Sequence, residues 1–167
     1  MPTPSGTKVC PGYAGATNWF SPSYSETTHL FYVLVREQCQ TYFSAAEPQQ
    51  FQPGKEFYST GVKHAAGEKS EKLLIAFDVS SGTSAWKYPQ IGSGHSMSGT
   101  MTTAGGLLFF GDDAQSFEAV GAQNGKPLWH FNTGQDMSAS PMTYAVGGKQ
   151  YVAVAAGSDV LSFALTP

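Results

Sequence analysis

Short apolar runs separated by turn signals organise this chain. Residues 29–37, "HLFYVLVRE", 105–112, "GGLLFFGD", and 149–157, "KQYVAVAAG", are rich in β-branched and aromatic side chains. Each follows a turn signal: "SETT", "TAGG" and "VGGK" respectively. Runs of this kind predict strands, and no ten-residue window sustains the 3.6-residue spacing of an amphipathic helix. Residues 44–70 are polar and rich in Lys and Glu, which predicts a long exposed excursion between two strands.

The pattern also repeats. "LIAFDVSSGTSAWKYP" (74–89) superimposes on "FEAVGAQNGKPLWHFNTG" (117–134) with Gly82 on Gly125 and Trp86 on Trp129, an offset of 43. A weaker third copy, "LSFAL" (161–165), falls at the same offset with Ser162 on Ala119. The preceding hairpin recurs as "SYSETTHLFYVLV", "TMTTAGGLLFFGD" and "PMTYAVGGKQYVAV". A period near 43 with two hairpins and one Trp per unit predicts an all-β partial β-propeller of four-stranded antiparallel blades. A blade cannot bury both faces alone, so a large flat side chain wedges against its neighbour. Trp86 and Trp129 are therefore read as structural.

The repeats end near 89, 134 and 167, so 1–167 is expected to be one partial propeller of about three blades, the last stopping after three strands. A closed propeller needs at least about four blades, and an open stack leaves apolar faces and strand edges bare. The chain is expected to be part of something larger or to close with partner copies.

Composition narrows the function classes. Only 13% of the 167 residues are charged, and 19 Gly, 10 Pro and 22 aromatic side chains suit a turn-rich β protein better than a disordered one. A net charge of −3 gives no reason to expect nucleic acid or an anionic membrane as partner. No apolar run has the length of a membrane span, and "MPTPSGTKVC" lacks the pattern of an export signal. The two cysteines, Cys10 and Cys39, admit two readings: unrelated buried thiols, or a disulfide tying the loop at 11–25 to the end of the following strand. Neither lies in a CxxC or CxxH spacing, which argues against metal.

The units "AxDxxxGxxxW", "NWxxPSYS…LFYV", "GTMTTAGGLLFFGD", "GKPLWHFNTG" and "SPMTYxxxGKQYVAVAAG" resemble the pyrroloquinoline-quinone-dependent dehydrogenases. These are eight-bladed quinoprotein enzymes acting on alcohols or aldoses, and the similarity corresponds to their C-terminal part. It runs through almost the whole chain and is weakest at 44–70. The resemblance implies pyrroloquinoline quinone (PQQ) and Ca²⁺ as cofactors of the parent, and oxidation of an alcohol or sugar hydroxyl by hydride transfer to the quinone. It implies that Asn18 in "PGYAGATNWFSPSYS" (11–25) reaches the quinone, with Trp19 beside it. An amide N–H can donate to a quinone oxygen and stabilise the charge growing there. Read from the residues alone, Asn18 is an Asx-turn residue capping its loop. Trp19 either touches the cofactor or packs beneath Asn18. Relatives carry a disulfide around this loop, which implies a Cys10–Cys39 bridge and a periplasmic setting.

Other residues give less. Met97 and Met137 stand where relatives carry larger or apolar residues, and read as a soft floor for a planar ligand or as core filler. His95 reads as a surface or packing residue, Asp112 and Asp113 as turn residues, and Asp78 as the acceptor of a structural turn. The family's carboxylate base, quinone Arg, calcium ligands and stacking Trp map onto no residue here, so no catalytic and no metal-binding residue is assigned. The leading expectation is a piece of a quinoprotein dehydrogenase, inactive alone, whose parent acts on a small-molecule substrate. The alternatives are a non-enzymatic scaffold or self-associating propeller fragment, and a sugar-binding β domain.

Overall fold

The computed structural model describes residues 1–47, 50–57, 61–64, 70–92 and 97–165. In chain order the strands are β1 (Thr7–Val9), β2 (Ser23–Ser25), β3 (Leu30–Glu37), β4 (Gln40–Phe43), β5 (Gly61–His64), β6 (Glu71–Asp78) and β7 (Ser84–Pro89). They continue as β8 (Thr100–Thr102), β9 (Leu107–Gly111), β10 (Ser116–Gly121), β11 (Pro127–Asn132), β12 (Met142–Val146), β13 (Lys149–Ala156) and β14 (Asp159–Phe163). No helix occurs among the described residues, as the all-β expectation requires.

The chain divides into two compact units, residues 1–18 with 36–71, and residues 19–35 with 72–167. The first holds a three-stranded sheet in the order β1-β4-β5. Strand β5 lies inside the 44–70 segment that the sequence presents as an exposed excursion, so part of that excursion returns to pair with β4. Gln40 pairs with His64 and Phe43 with Gly61 in that ladder. Residues 50–57 fit the expectation and are exposed.

The second unit is three sheets in series: β2-β3-β6-β7, β8-β9-β10-β11 and β12-β13-β14. They are sheets I, II and III in chain order. The predicted repeat is visible in their register. Trp86 pairs with Ala76 and Trp129 with Ala119, and each ladder is broken by a bulge at the same place, Ala76/Phe77 and Ala119/Val120. Gly82 and Gly125 both close the turn before the Trp strand at positive φ, 70° and 67°. Side chains with a Cβ rarely adopt that conformation, which is why both copies carry glycine.

Alternation across a strand gives sheet II two apolar faces. Leu108, Phe110 and Val120 point to sheet I, where they meet Leu30, Tyr32, Leu34, Leu74 and Ala76. Phe109, Phe117 and Ala119 point to sheet III and meet Val154 and Ala156, with Phe163 at the margin. A strand buried on both faces needs a continuous apolar run, and "LLFFG" supplies one. Sheet I docks on sheet II at Ala122, whose carbonyl accepts from the Tyr32 hydroxyl at 3.0 Å and from Trp86 Nε1 at 3.1 Å. The Trp86 ring lies over Gly125 so closely that a Cβ there would come within 2.7 Å of it. Trp129 meets Phe163 of sheet III edge-on, with ring centroids 5.1 Å apart.

Candidate functional site

The loop that carries Asn18 belongs to the first unit and is braced from behind by the segment 36–40. Cys10 and Cys39 are joined by a disulfide with Cα atoms 4.4 Å apart. Gly12 N–H donates to the Gln38 carbonyl at 2.8 Å, and Arg36 N–H donates to the Ala16 carbonyl at 2.7 Å. Between these two ties, Tyr13 N–H donates to the side-chain oxygen Oε1 of Gln40 at 2.8 Å. Gln40 is only 3% exposed, so its amide is a buried anchor and not a solvated surface group. Gly12 is needed because Gln40 sits against it: a Cβ would lie 2.3 Å from Oε1. Gly15, at φ 76°, turns the chain, and its N–H donates to the Gly12 carbonyl at 2.9 Å.

Asn18 is exposed at the end of this braced segment, and its side-chain Nδ2 donates to the Ala14 carbonyl at 3.0 Å. The local capping bond read from the residues is thus present. Trp19 is 62% exposed and meets Phe20 edge-on with centroids 6.2 Å apart. Phe20 packs on the core between sheets I and II. Behind the loop lies an open cavity of about 540 Å³ whose wall includes both cysteines, Pro11, Ala16 and the carboxylates of Glu37 and Glu71.

The other sequence candidates fall elsewhere. Met137 is fully buried, with its side chain packed over Gly111 in the core between sheets II and III, which is the filler reading. Met97 is 36% exposed and its N–H donates to the Met137 carbonyl at 2.7 Å. His95 lies outside the described residues. Asp78 Oδ1 accepts from the N–H groups of Ser80 at 2.8 Å and Ser81 at 2.9 Å, the structural turn expected of it. Those N–H groups, Ser81 foremost, hold its carboxyl below the usual range.

Asp112 and Asp113 are in a turn as expected, but they are buried, at 1% and 2% exposure. Asp112 Oδ1 accepts from Ala114 N–H at 2.9 Å and Ser116 N–H at 3.2 Å. Asp113 forms an ion pair with Lys72 at the start of β6. Glu118, opposite His130 in the β10–β11 ladder, completes a polar cluster in the second unit. Burial pushes the carboxyls of Asp112 and Glu118 above the usual range, and each is raised further by a neighbouring carboxylate. Among the described residues, no group of three or more His, Cys, Asp and Glu is arranged to hold a metal ion.

The cofactor expectation meets a partial fit. An exposed amide at the end of a braced loop segment suits one edge of a planar quinone. Nothing described here suits the divalent cation that would accompany it. The residues that sequence reasoning missed are Gln40, Gly12 and the Lys72–Asp113 pair. None carries a local motif, because their roles arise from contacts 27 to 41 residues apart.

Three antiparallel sheets in series, the first two each docking a Trp on the next, define a segment of a β-propeller. Residues 89–152 match the PQQ family model, described as "Glucose/ethanol/alcohol dehydrogenase, beta-propeller domain". The chain is 33% identical over 150 residues to the 1-butanol dehydrogenase (quinone) of Thauera butanivorans, covering 89% of this chain and 23% of that protein. It is 33% identical over 156 residues to the quinohemoprotein alcohol dehydrogenase of Comamonas testosteroni, covering 88% and 22%. Its fold matches the crystal structure of the Comamonas testosteroni enzyme with a TM-score of 0.76 at 29% identity, over 92% of this chain and 24% of that one. A europium-containing methanol dehydrogenase matches with a TM-score of 0.76 at 28% identity, over 89% and 26%. The chain is therefore a segment of β-propeller similar in sequence and fold to part of the quinoprotein dehydrogenases, in agreement with the resemblance in its sequence. It spans about a quarter of the length of the relatives it matches.

Proposed function

We propose that this chain forms propeller wall and one cofactor-contacting loop of a PQQ- and calcium-dependent dehydrogenase that oxidises an alcohol or sugar hydroxyl. The observation that carries the reading is the exposed Asn18 amide, at the end of a segment fixed by the disulfide at Cys10 and by backbone bonds of Gly12 and Ala16 to residues 38 and 36. When bound, the quinone would accept the hydride of the substrate carbon, with the cation polarising its carbonyl. Asn18 Nδ2 donates to the Ala14 carbonyl in this chain, and in this proposal the amide donates to a quinone oxygen when the ligand is bound. A donor already positioned before charge develops needs no reorganisation during reaction, which is the source of its effect. Trp19, next in sequence, would border the same edge of the ligand. The relatives named for alcohol oxidation support the substrate class, and the disulfide supports a periplasmic setting.

Two measurements test this. The isolated chain, given PQQ, Ca²⁺ and an alcohol, is expected to reduce no dye, and steady-state turnover would overturn the assignment of the base to another part of the parent. In a chimera that replaces the matching segment of the Thauera butanivorans enzyme by this chain, Asn18→Ala is expected to lower kcat by roughly 10²–10³. An unchanged kcat would remove Asn18 from the cofactor site.

A second reading, a self-associating propeller fragment, is favoured by the outer face of sheet III. Met142, Val146 and Val160 there are 56%, 62% and 79% exposed. A discrete dimer in solution would support it; a monomer at all concentrations would leave only the first.

A further inference from the structure

The disulfide is the visible brace of the Asn18 loop, but it holds the loop only at residue 10. Between the backbone ties at Gly12 and Ala16, a further tie is made by a side chain. Gln40 Oε1 accepts from Tyr13 N–H at 2.8 Å and, more weakly, from the Tyr42 hydroxyl at 3.4 Å. That bond orients the Gly12–Tyr13 peptide. The Ala14 carbonyl, just beyond it, is the acceptor on which the Asn18 side chain rests.

Three features make this a built arrangement. Gln40 is 3% exposed, so the acceptor has no bulk water with which to exchange the Tyr13 donor. Gly12 is bare where Gln40 approaches, and a Cβ at 2.3 Å from Oε1 would push the amide away. Gln40 also begins β4 and pairs with Val9 in the first sheet, so its backbone is fixed by regular structure while its side chain reaches out to the loop.

We propose that Gln40 is a positioning residue for Asn18: its buried amide sets the direction of the loop tip through Tyr13 and Ala14. The proposal rests on the reading of Asn18 as a cofactor contact for its functional meaning, but its physical content concerns this chain alone. Gln40 touches no reacting atom. It acts by narrowing the orientations that the Asn18 amide samples before a ligand arrives, which is where preorganisation has its effect.

The test uses the full chain labelled with ¹⁵N and follows amide hydrogen exchange together with the Asn18 side-chain signal. Gln40→Met keeps the length of the side chain and removes the acceptor. Exchange at Tyr13 is expected to rise roughly tenfold or more, since its N–H loses the buried Gln40 acceptor that now holds it. The Asn18 Nδ2 signal is expected to shift, while the amides of β10 keep their protection. Gln40→Glu retains an acceptor oxygen and is expected to restore both signals.

Unchanged Tyr13 exchange and an unshifted Asn18 signal in Gln40→Met would overturn the proposal. So would a loss of protection spread evenly over β1 and β4 that Gln40→Glu does not rescue, because Gln40 would then be a purely structural residue. If Gln40→Met does not fold, Gly12→Ala displaces the same oxygen from the loop side and is expected to shift the same two signals; no shift would again overturn it. A failure here leaves the Asn18→Ala chimera result untouched, and an inactive role for Asn18 in that chimera leaves the exchange result untouched.

Discussion

Sheets II and III are built on one sequence pattern, yet they live in different environments. Strand β10 of sheet II is buried along five of its six residues, whereas β14, at the same repeat position, keeps three of its five exposed. Ala119 and Ser162 occupy equivalent places; the first lies under Trp129 in the core, and the second meets the Tyr144 hydroxyl at 2.8 Å near the surface. The difference is not in strand propensity, since both form regular antiparallel ladders. It lies in what covers them. Sheet II has an apolar neighbour on each face, and sheet III has one on a single face. A blade's stability is thus mostly a property of its interfaces, as expected for repeats that contact only their neighbours.

The contrast can be broken most strongly by truncating the shared core. Phe117→Ala is expected to lower unfolding stability by about 3–5 kcal/mol, because Phe117 is fully buried and stacks on Phe109. Val160→Ala, at 79% exposure, is expected to stay within about 0.5 kcal/mol. Urea unfolding followed by circular dichroism compares the two. Equal losses would mean that the open face of sheet III is covered in solution.

Charge gives the next largest contrast. Lys72→Met leaves the buried Asp113 carboxylate without its ammonium partner and is expected to cost about 3 kcal/mol or more. Lys149→Met, at the exposed start of β13, is expected to be nearly neutral by the same measurement. A small loss for Lys72→Met would show that Asp113 is solvated in the folded chain.

The two turn glycines separate backbone strain from packing. Gly82→Ala forces a Cβ into a positive φ with open space around it, at about 1–2 kcal/mol. Gly125→Ala meets the same strain and also drives a Cβ into the Trp86 ring, so it is expected to cost about 1 kcal/mol or more beyond Gly82→Ala. The difference in urea midpoints reads this out, and equal midpoints would mean that Trp86 is not seated on sheet II.

The smallest effect is a pH dependence. The carboxyls of Asp112 and Glu118 are raised in the folded state by burial. Their contribution to stability is therefore fully present below the unfolded value, about 4 for such groups, and is lost as pH rises through the raised folded value. Asp78 behaves oppositely: its lowered carboxyl stabilises above the unfolded value and loses that contribution as pH falls through the folded one. Glu118→Gln is expected to raise stability at neutral pH and to flatten the slope on the acidic side. An unchanged slope across a pH series of urea titrations would show that Glu118 is hydrated.

How far the sequence reached follows from the range of each interaction. The hairpins, the Gly–Trp repeat and the Asp78 turn were legible because their partners lie within a few residues or recur at a fixed spacing. The burial of Asp112 and Asp113 was not, because their local sequence is that of any turn and their ion partner comes from β6. Strand β5 was hidden by its polar setting, since an edge strand in a small sheet needs little apolar patterning. At the candidate site, "TNWF" and the cysteines drew attention to the loop through resemblance, whereas Gln40 stands beside Cys39 with nothing in its surroundings to mark it.

By itself, then, the sequence determined that this chain makes short antiparallel strands, that they recur as blades, and that glycine and tryptophan hold the register. Alternation and turn chemistry act over a few residues, so they are written in the local order of side chains. Tertiary structure alone decided which faces are covered, which carboxylates are buried, and that a buried glutamine holds the loop bearing Asn18. Those outcomes depend on groups brought together from distant positions, where burial turns an ordinary amide or ion pair into a fixed constraint.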